Sequence, residues 1–431
     1  MKPRTFGALA LVSMAAAALI LAVPGAAHDD PHDGKLAILG SELHELPRAA
    51  TGPLGPAECE NGMAGIFPCE NVDLMSFVPL EQLGGGTGND IWGWTDPQTG
   101  REYAIMGTSN GTAFVDVTDA RNPVVVGHMP SQSFLIWALW RDIKVYENHA
   151  YVVSEYDLHG MQIFDLTRLR DVAVKPAVFA PDVVYDEMSN THNIAINEDT
   201  GYAYAVGTNT CDAGLHMIDI RDPKSPRFAG CYAEDGYTHD VQCVVYNGPD
   251  GKFKSREICF ASNEDTVTIV DVTDKANPRM LSRTGYPSAA YTHQGWLTPD
   301  HRFFLFGDEL DEQGNTVPTT TTYVMDVSRL TAPKAPLAFH HATESIDHNL
   351  YVDGRHVFES NYTAGLRILD YDRRSLAAGQ LREVAYFDVF PASDIDDFLG
   401  TWSNYAYFES GNVVVSAIDS GLFVLRPELM R

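Results

Sequence analysis

The sequence predicts an all-β fold, a seven-bladed β-propeller whose ring is closed by an N-terminal strand pairing with the last blade. Three observations predict it: one strand phrase ending in Asp recurs along the chain, further short strands fit between its copies, and the last unit falls one strand short.

The recurring phrase reads "TAFVDVTDARNP" from Thr112, "MQIFDLTRLRD" from Met161 and "LHMIDIRDPKSP" from Leu215. It returns as "VTIVDVTDKANP" from Val267, "TYVMDVSRLTAP" from Thr322 and "LRILDYDRRSL" from Leu366, with a copy lacking the aspartate, "GLFVLRPE", from Gly421. Each copy is a β-branched and aliphatic strand that runs into a polar turn. An aspartate there is placed to accept turn N–H groups, so Asp116, Asp165, Asp219, Asp271, Asp326 and Asp370 read as a structural device rather than as catalysts.

The unit from His192 shows the remaining strands: "HNIAIN", "GYAYAVG", "LHMIDI" and "PRFAGCY", punctuated by Gly, Asn, Asp and Pro. Four strands in roughly fifty residues describe a propeller blade. The first strands number seven: "NDIWGW", "RDIKVY", "HNIAIN", "HDVQCVV", "HQGWLT", "HNLYV" and "WSNYAYF". The last unit, from Trp402, has three evident strands, and "VDLMSFVPL" at Val72–Leu80 resembles a missing outer strand. Pairing the two closes the ring and removes the unpaired edges of an open array.

Ahead of the propeller, residues 1–27 have the order of a secretory signal peptide. Lys2 and Arg4 precede the apolar "ALALVSMAAAALILAV", and small residues at Gly25–Ala27 offer a cleavage site. Residues 28–58, rich in Pro, Gly and charge, are expected to be an extended lead-in, and 59–431 a single propeller. No other stretch approaches the length of a membrane span, so none is expected after signal cleavage. The chain has 30 Lys+Arg against 58 Asp+Glu. That balance argues against nucleic acid and anionic lipid as partners.

Six cysteines in an exported chain, with no C-x-x-C spacing, suggest disulfides rather than a zinc site. Sequence leaves their connectivity open. The nearest-neighbour set, Cys59 with Cys69, Cys211 with Cys231 and Cys243 with Cys259, suits the strand order, because the last two lie on successive strands.

Several longer phrases resemble the choice-of-anchor B proteins, which carry LVIVD repeats and are expected to form a β-propeller. They include "ECENGMAGIFPCENVDLMSF", "GNDIWGWTDPQTGREYAI", "WRDIKVYENHAYVVSE", "ASNEDTVTIVDVTDKANP" and "DHNLYV", and the likeness runs from about Cys59 to about Leu425. The resemblance implies an exported bacterial protein, often tethered by a C-terminal device. This chain stops at "FVLRPELMR" without a sorting motif or apolar tail, so a secreted or periplasmic protein without a C-terminal anchor is expected. The resemblance implies no reaction.

Function must be sought where the strands begin. In a propeller the start of a blade's first strand and the end of its second share one face. The starts are Asn89, Arg141, His192, His239, His293, His348 and Trp402, followed by Asp90, Asp142, Asn193, Asp240, Gln294, Asn349 and Ser403. The second strands end near Asn110, Glu155, Asn209, Asn263, Asp308, Glu359 and Asp419. Two readings of this polar mouth stand. In the first, four equivalent histidines tie neighbouring strands together, and the face binds a protein or small-molecule ligand. In the second, His192, His239, His293 and His348 hold a divalent transition ion, since imidazole suits zinc, copper, iron or nickel, and the protein is a metal-dependent enzyme. Glu155, Asp308 and Glu359 are then expected to orient the rings, with Asp90, Arg141, Asp142, Asp240 and Asp419 lining the pore. Calcium ranks behind a transition ion: "DELDEQGN" at Asp308–Asn315 gathers oxygen ligands but lacks EF-hand spacing. No G-x-S-x-G elbow, P-loop or H-E-x-x-H is present.

Overall fold

The computed structural model describes residues 50, 52–132, 139–156 and 158–429, so the signal-peptide expectation and most of the lead-in lie outside the described residues. Seven antiparallel sheets, each with a four-stranded core, form the blades. Their first strands are Gly88–Thr95, Arg141–Tyr146, Asn193–Asn197, Asp240–Val245, Thr292–Leu297, Asn349–Asp353 and Thr401–Tyr405. Each packs against the first strand of the next blade, and that of blade 7 returns to blade 1. The ring is closed.

The apolar pattern explains the stacking. Both faces of a blade are covered by neighbouring blades, so interior strands read as near-continuous apolar runs. In Leu215–Asp219 the period of two divides the side chains between two interfaces. Leu215 and Met217 pack with Val241 and Cys259 of blade 4, while Ile218 packs with Tyr151 and Ile163 of blade 2.

Closure follows the expectation from sequence: Val72–Pro79 pairs antiparallel with Gly421–Pro427 as the outer strand of blade 7. The segment before it does more than lead in. Leu54 and Ala57 bridge to Phe77 and Leu74, and the hairpin Met63–Ala64/Phe67–Glu70 extends blade 6 through Cys69 opposite Phe387. One N-terminal stretch therefore holds blades 6 and 7 together. Its loop is closed by Cys59–Cys69, and the other disulfides are Cys211–Cys231 and the cross-strand pair Cys243–Cys259.

The turn aspartates act as expected in five blades. Asp116, Asp165, Asp219, Asp271 and Asp326 each accept the N–H two residues on. Asp370 differs, engaging Arg355 and Arg382 instead. Blade 2 departs from the others as well. Its outer strand shrinks to Val183–Tyr185, and Ala177–Val178 crosses over to pair in parallel with the outer strand of blade 1.

Candidate functional site

Blades 3 to 6 each bring one histidine to the same end of the axis. The rings of His192 and His239 lie 4.1 Å apart between centroids, those of His239 and His293 4.1 Å, and those of His293 and His348 4.4 Å. They form one continuous arc, buried to 5%, 2%, 3% and 3% exposure respectively. Tyr362 and Trp402 flank His348 at 4.5 and 5.0 Å, and Tyr291 packs on His239 at 5.2 Å.

Hydrogen bonds set the tautomers of two rings. His239 Nδ1 donates to the His293 carbonyl (2.9 Å), and His348 Nδ1 donates to the Trp402 carbonyl (2.5 Å). A carbonyl can only accept, so each Nδ1 carries hydrogen and a neutral ring keeps its lone pair on Nε2. These bonds also tie one blade to the next, the structural duty that sequence assigned to the repeated histidine. At the far end His192 Nδ1 is bonded to the Glu155 carboxylate.

The Nε2 side of the arc faces Glu309, a residue the strand pattern missed. Its carboxylate lies 3.3 Å from His293 Nε2 and 3.6 Å from His348 Nε2, and it accepts the Tyr362 hydroxyl. A ring lone pair facing a carboxylate oxygen is repulsive unless a proton or a cation sits between them. Donor atoms of His239, His293 and Glu309 all lie within 4.8 Å of one another. Two imidazoles and one carboxylate, with a third imidazole beside them, are a donor set for a divalent transition ion. Glu309 escaped notice because it stands one residue past the end of the strand Phe303–Asp308, where the chain has left the alternating pattern. The signal was present as the paired acids of "DELDE".

Other expected site residues are placed elsewhere. Asp308 does not orient the four histidines. It accepts the N–H groups of Ala290 and Tyr291 and the Tyr286 hydroxyl, and burial lifts it to about 6. Glu359 partners Thr322, Asn361 and a different histidine, His341, whose Nε2 is 3.2 Å away. Asp419 accepts the Gly400 N–H. Arg141 stands at blade 2's place in the ring but bonds the Thr108 carbonyl and His159, and burial brings it down to about 10.

One step along the axis, Asp90 and Asp142 flank Lys144, another residue missed from sequence. Its Nζ donates to Asp142 at 2.5 Å and lies 3.5 Å from Asp90. Asp90 also accepts the Ile143 N–H of blade 2, and Asp142 the Ile194 N–H of blade 3. Gln242 and Gln294 repeat the link to Leu297 and Leu350. These side chains bind blade to blade around the axis. Asp240, lifted to about 7 by burial and then by Asp142, completes the polar ring. Beyond it lies a cavity of about 100 Å³ walled by Trp92, Lys144, Asp240, Gln242, Trp296 and Tyr351.

The LVIVD repeat family matches residues 140–159 and 190–234, stretches of blades 2 and 3. With the seven closed blades, this makes the chain an LVIVD-repeat β-propeller. Among solved structures it is similar to the Kuenenia stuttgartiensis hydrazine synthase. That match is 13% identical, covers 76% of this chain and 93% of the other, and has a TM-score of 0.52. It is also similar to the Myceliophteria thermophila Cps50 (Swd1) β-propeller domain, with 9% identity, 79% and 96% coverage and a TM-score of 0.51. At these identities the likeness shows the fold alone. No curated protein matches the chain.

Proposed function

We propose that this LVIVD-repeat β-propeller is an exported binding module that holds a divalent transition ion at one end of its axis, with His239, His293, His348 and Glu309 as donors. One observation carries the reading: the Nε2 atoms of His293 and His348 both face the Glu309 carboxylate, at 3.3 and 3.6 Å. With Nδ1 of His348 committed to a carbonyl, a cation between Nε2 and Glu309 turns a repulsive contact into an attractive one. Nitrogen-rich donors favour zinc, iron, nickel or copper over magnesium or calcium. His192, bonded to Glu155, ends the arc and orients its neighbour. The positive-then-apolar start of the chain, its three disulfides and the choice-of-anchor B likeness support export. Among the described residues no helix is long and apolar enough to cross a membrane.

The test is elemental analysis of full-length protein purified without a polyhistidine tag. One stoichiometric transition ion is expected, lost in the His239→Ala/His293→Ala variant while the β-sheet circular dichroism persists. Wild-type protein that retains no ion after incubation with zinc, iron(II), nickel and copper salts would refute the proposal.

A metal-dependent enzyme is the second reading, favoured by the Tyr362 hydroxyl on Glu309 and by the apolar wall beside it. Ile346, Phe390, Phe398, Leu399, Trp402 and Ile418 form that wall with Tyr362. A bound ion supplies Lewis acidity; Tyr362 offers a proton, and the wall excludes water. Cobalt-substituted protein separates the readings. A visible spectrum that shifts with azide indicates an open coordination position and supports catalysis, whereas an inert spectrum indicates a closed site.

A further inference from the structure

A second group of buried acids lies next to the histidine arc in sequence, and its oxygens face one another. Asp311, Glu312 and Asp347 each place one carboxylate oxygen within 4.8 Å of the others. They are 0%, 7% and 3% exposed. Three buried carboxylates repel one another strongly, so their charge is offset either by protons or by a bound cation.

The hydrogen bonds show which oxygens are already used. Asp311 Oδ2 accepts the Tyr323 hydroxyl (2.6 Å), and Glu312 Oε1 accepts the Thr321 N–H (2.9 Å). Among the described residues, no N–H or hydroxyl group donates to Asp311 Oδ1, Glu312 Oε2 or either oxygen of Asp347. Asp347 is the decisive one, a buried carboxylate with neither oxygen bonded, aimed at two other carboxylates. The backbone makes room for it. A Cβ on Gly307 would stand 1.7 Å from Asp347 Oδ2, so a side chain at that position of blade 5 would displace the carboxylate of blade 6.

We propose that Asp311, Glu312 and Asp347 form a calcium site at the junction of blades 5 and 6. All the donors are oxygens, which suits hard cations and disfavours the transition ions drawn to imidazole. Calcium oxygens lie about 2.3–2.6 Å from the ion, so donors on opposite sides stand about 5 Å apart, the scale of this cluster. Magnesium, at about 2.0–2.1 Å and with near-ideal octahedral demands, suits it less. Two of the donors belong to the loop after the second strand of blade 5, and the third precedes the first strand of blade 6. The ion would therefore cross-link two blades. It does not depend on the histidine site, because no donor is shared.

The experiment is calorimetric titration of chelator-treated, full-length protein with calcium chloride, followed by titration with magnesium chloride. One calcium per chain is expected, with Kd between about 10⁻⁶ and 10⁻³ M. Asp347→Asn and Glu312→Gln should each weaken it at least tenfold, and His239→Ala/His293→Ala should leave it intact. Thermal melts add a readout with a sign. In chelator, Asp347→Asn should melt no lower than wild type, because burial and the neighbouring acids disfavour a charged carboxylate at that position; in saturating calcium it should melt lower. Absence of calcium binding by wild type, preference for magnesium, or unchanged calcium affinity in both variants would each overturn the proposal. So would a wild type whose melting responds to pH but not to calcium, since a proton shared by the acids would then suffice.

Discussion

Replacing Glu309 with glutamine tests the histidine arc at its centre. The change keeps the side-chain shape and removes the carboxylate that faces His293 Nε2 at 3.3 Å and His348 Nε2 at 3.6 Å. An amide oxygen is neutral and a much weaker donor to a divalent ion. Losing a group that merely orients a ligand costs about 10–100-fold in metal affinity, so losing the ligand itself should cost at least about 100-fold, or about 2.7 kcal/mol. Tyr362→Phe supplies the internal comparison, because its hydroxyl donates to Glu309 while the ring that packs on His348 is kept. It should fall in the orienting range, about 1.4–2.7 kcal/mol. The assay is competition between the metal-loaded protein and a chromophoric chelator near neutral pH. Metal-free Glu309→Gln should melt no lower than wild type, since the amide NH₂ can donate to the lone pair on His348 Nε2. A variant that holds the ion within about threefold of wild type would refute the reasoning. A metal-free variant that melts several degrees lower would do the same, for the carboxylate would then be serving the fold by pairing with a protonated ring.

Two further predictions concern the ring that carries the site. Asp96 joins blade 1 to Arg170 of blade 2 through two bonds of 2.9 and 2.6 Å, and the guanidinium holds its carboxyl at about 2, below the ordinary 3.8. A lowered folded-state pKa contributes stability above the unfolded value and loses it as pH falls through the folded one. Asp96→Asn should therefore cost about 2 kcal/mol at pH 6 and little near pH 2. Urea unfolding across that range checks it, and a cost independent of pH would contradict it. Lys144→Met should cost about 3–5 kcal/mol, because it strands Asp90 and Asp142 as buried like charges. Adding Asp90→Asn should recover part of the loss in the same assay, and a single-variant cost below about 1 kcal/mol would contradict the role given to Lys144.

Sequence by itself determined the repeat. The phrase ending in Asp, the seven first strands and the short last unit led to a closed ring with Val72–Pro79 as its final strand, because strand period and turn chemistry are local properties. The four histidines were legible for the same reason, whereas the connectivity of the six cysteines stayed open in the sequence, and the structure selects the nearest-neighbour set. What the rings face was not. Glu309 and Asp347 act through neighbours on other blades, at places where the chain is outside a strand, and strand period says nothing about such positions. Lys144 keeps the alternation of its strand, two residues from Asp142, but its approach to Asp90 depends on the neighbouring blade. Asp308 and Glu309 adjoin in sequence, yet one caps a loop and the other meets the histidines. Only closure of the ring, which sets each side chain's direction against the next blade, decided between them.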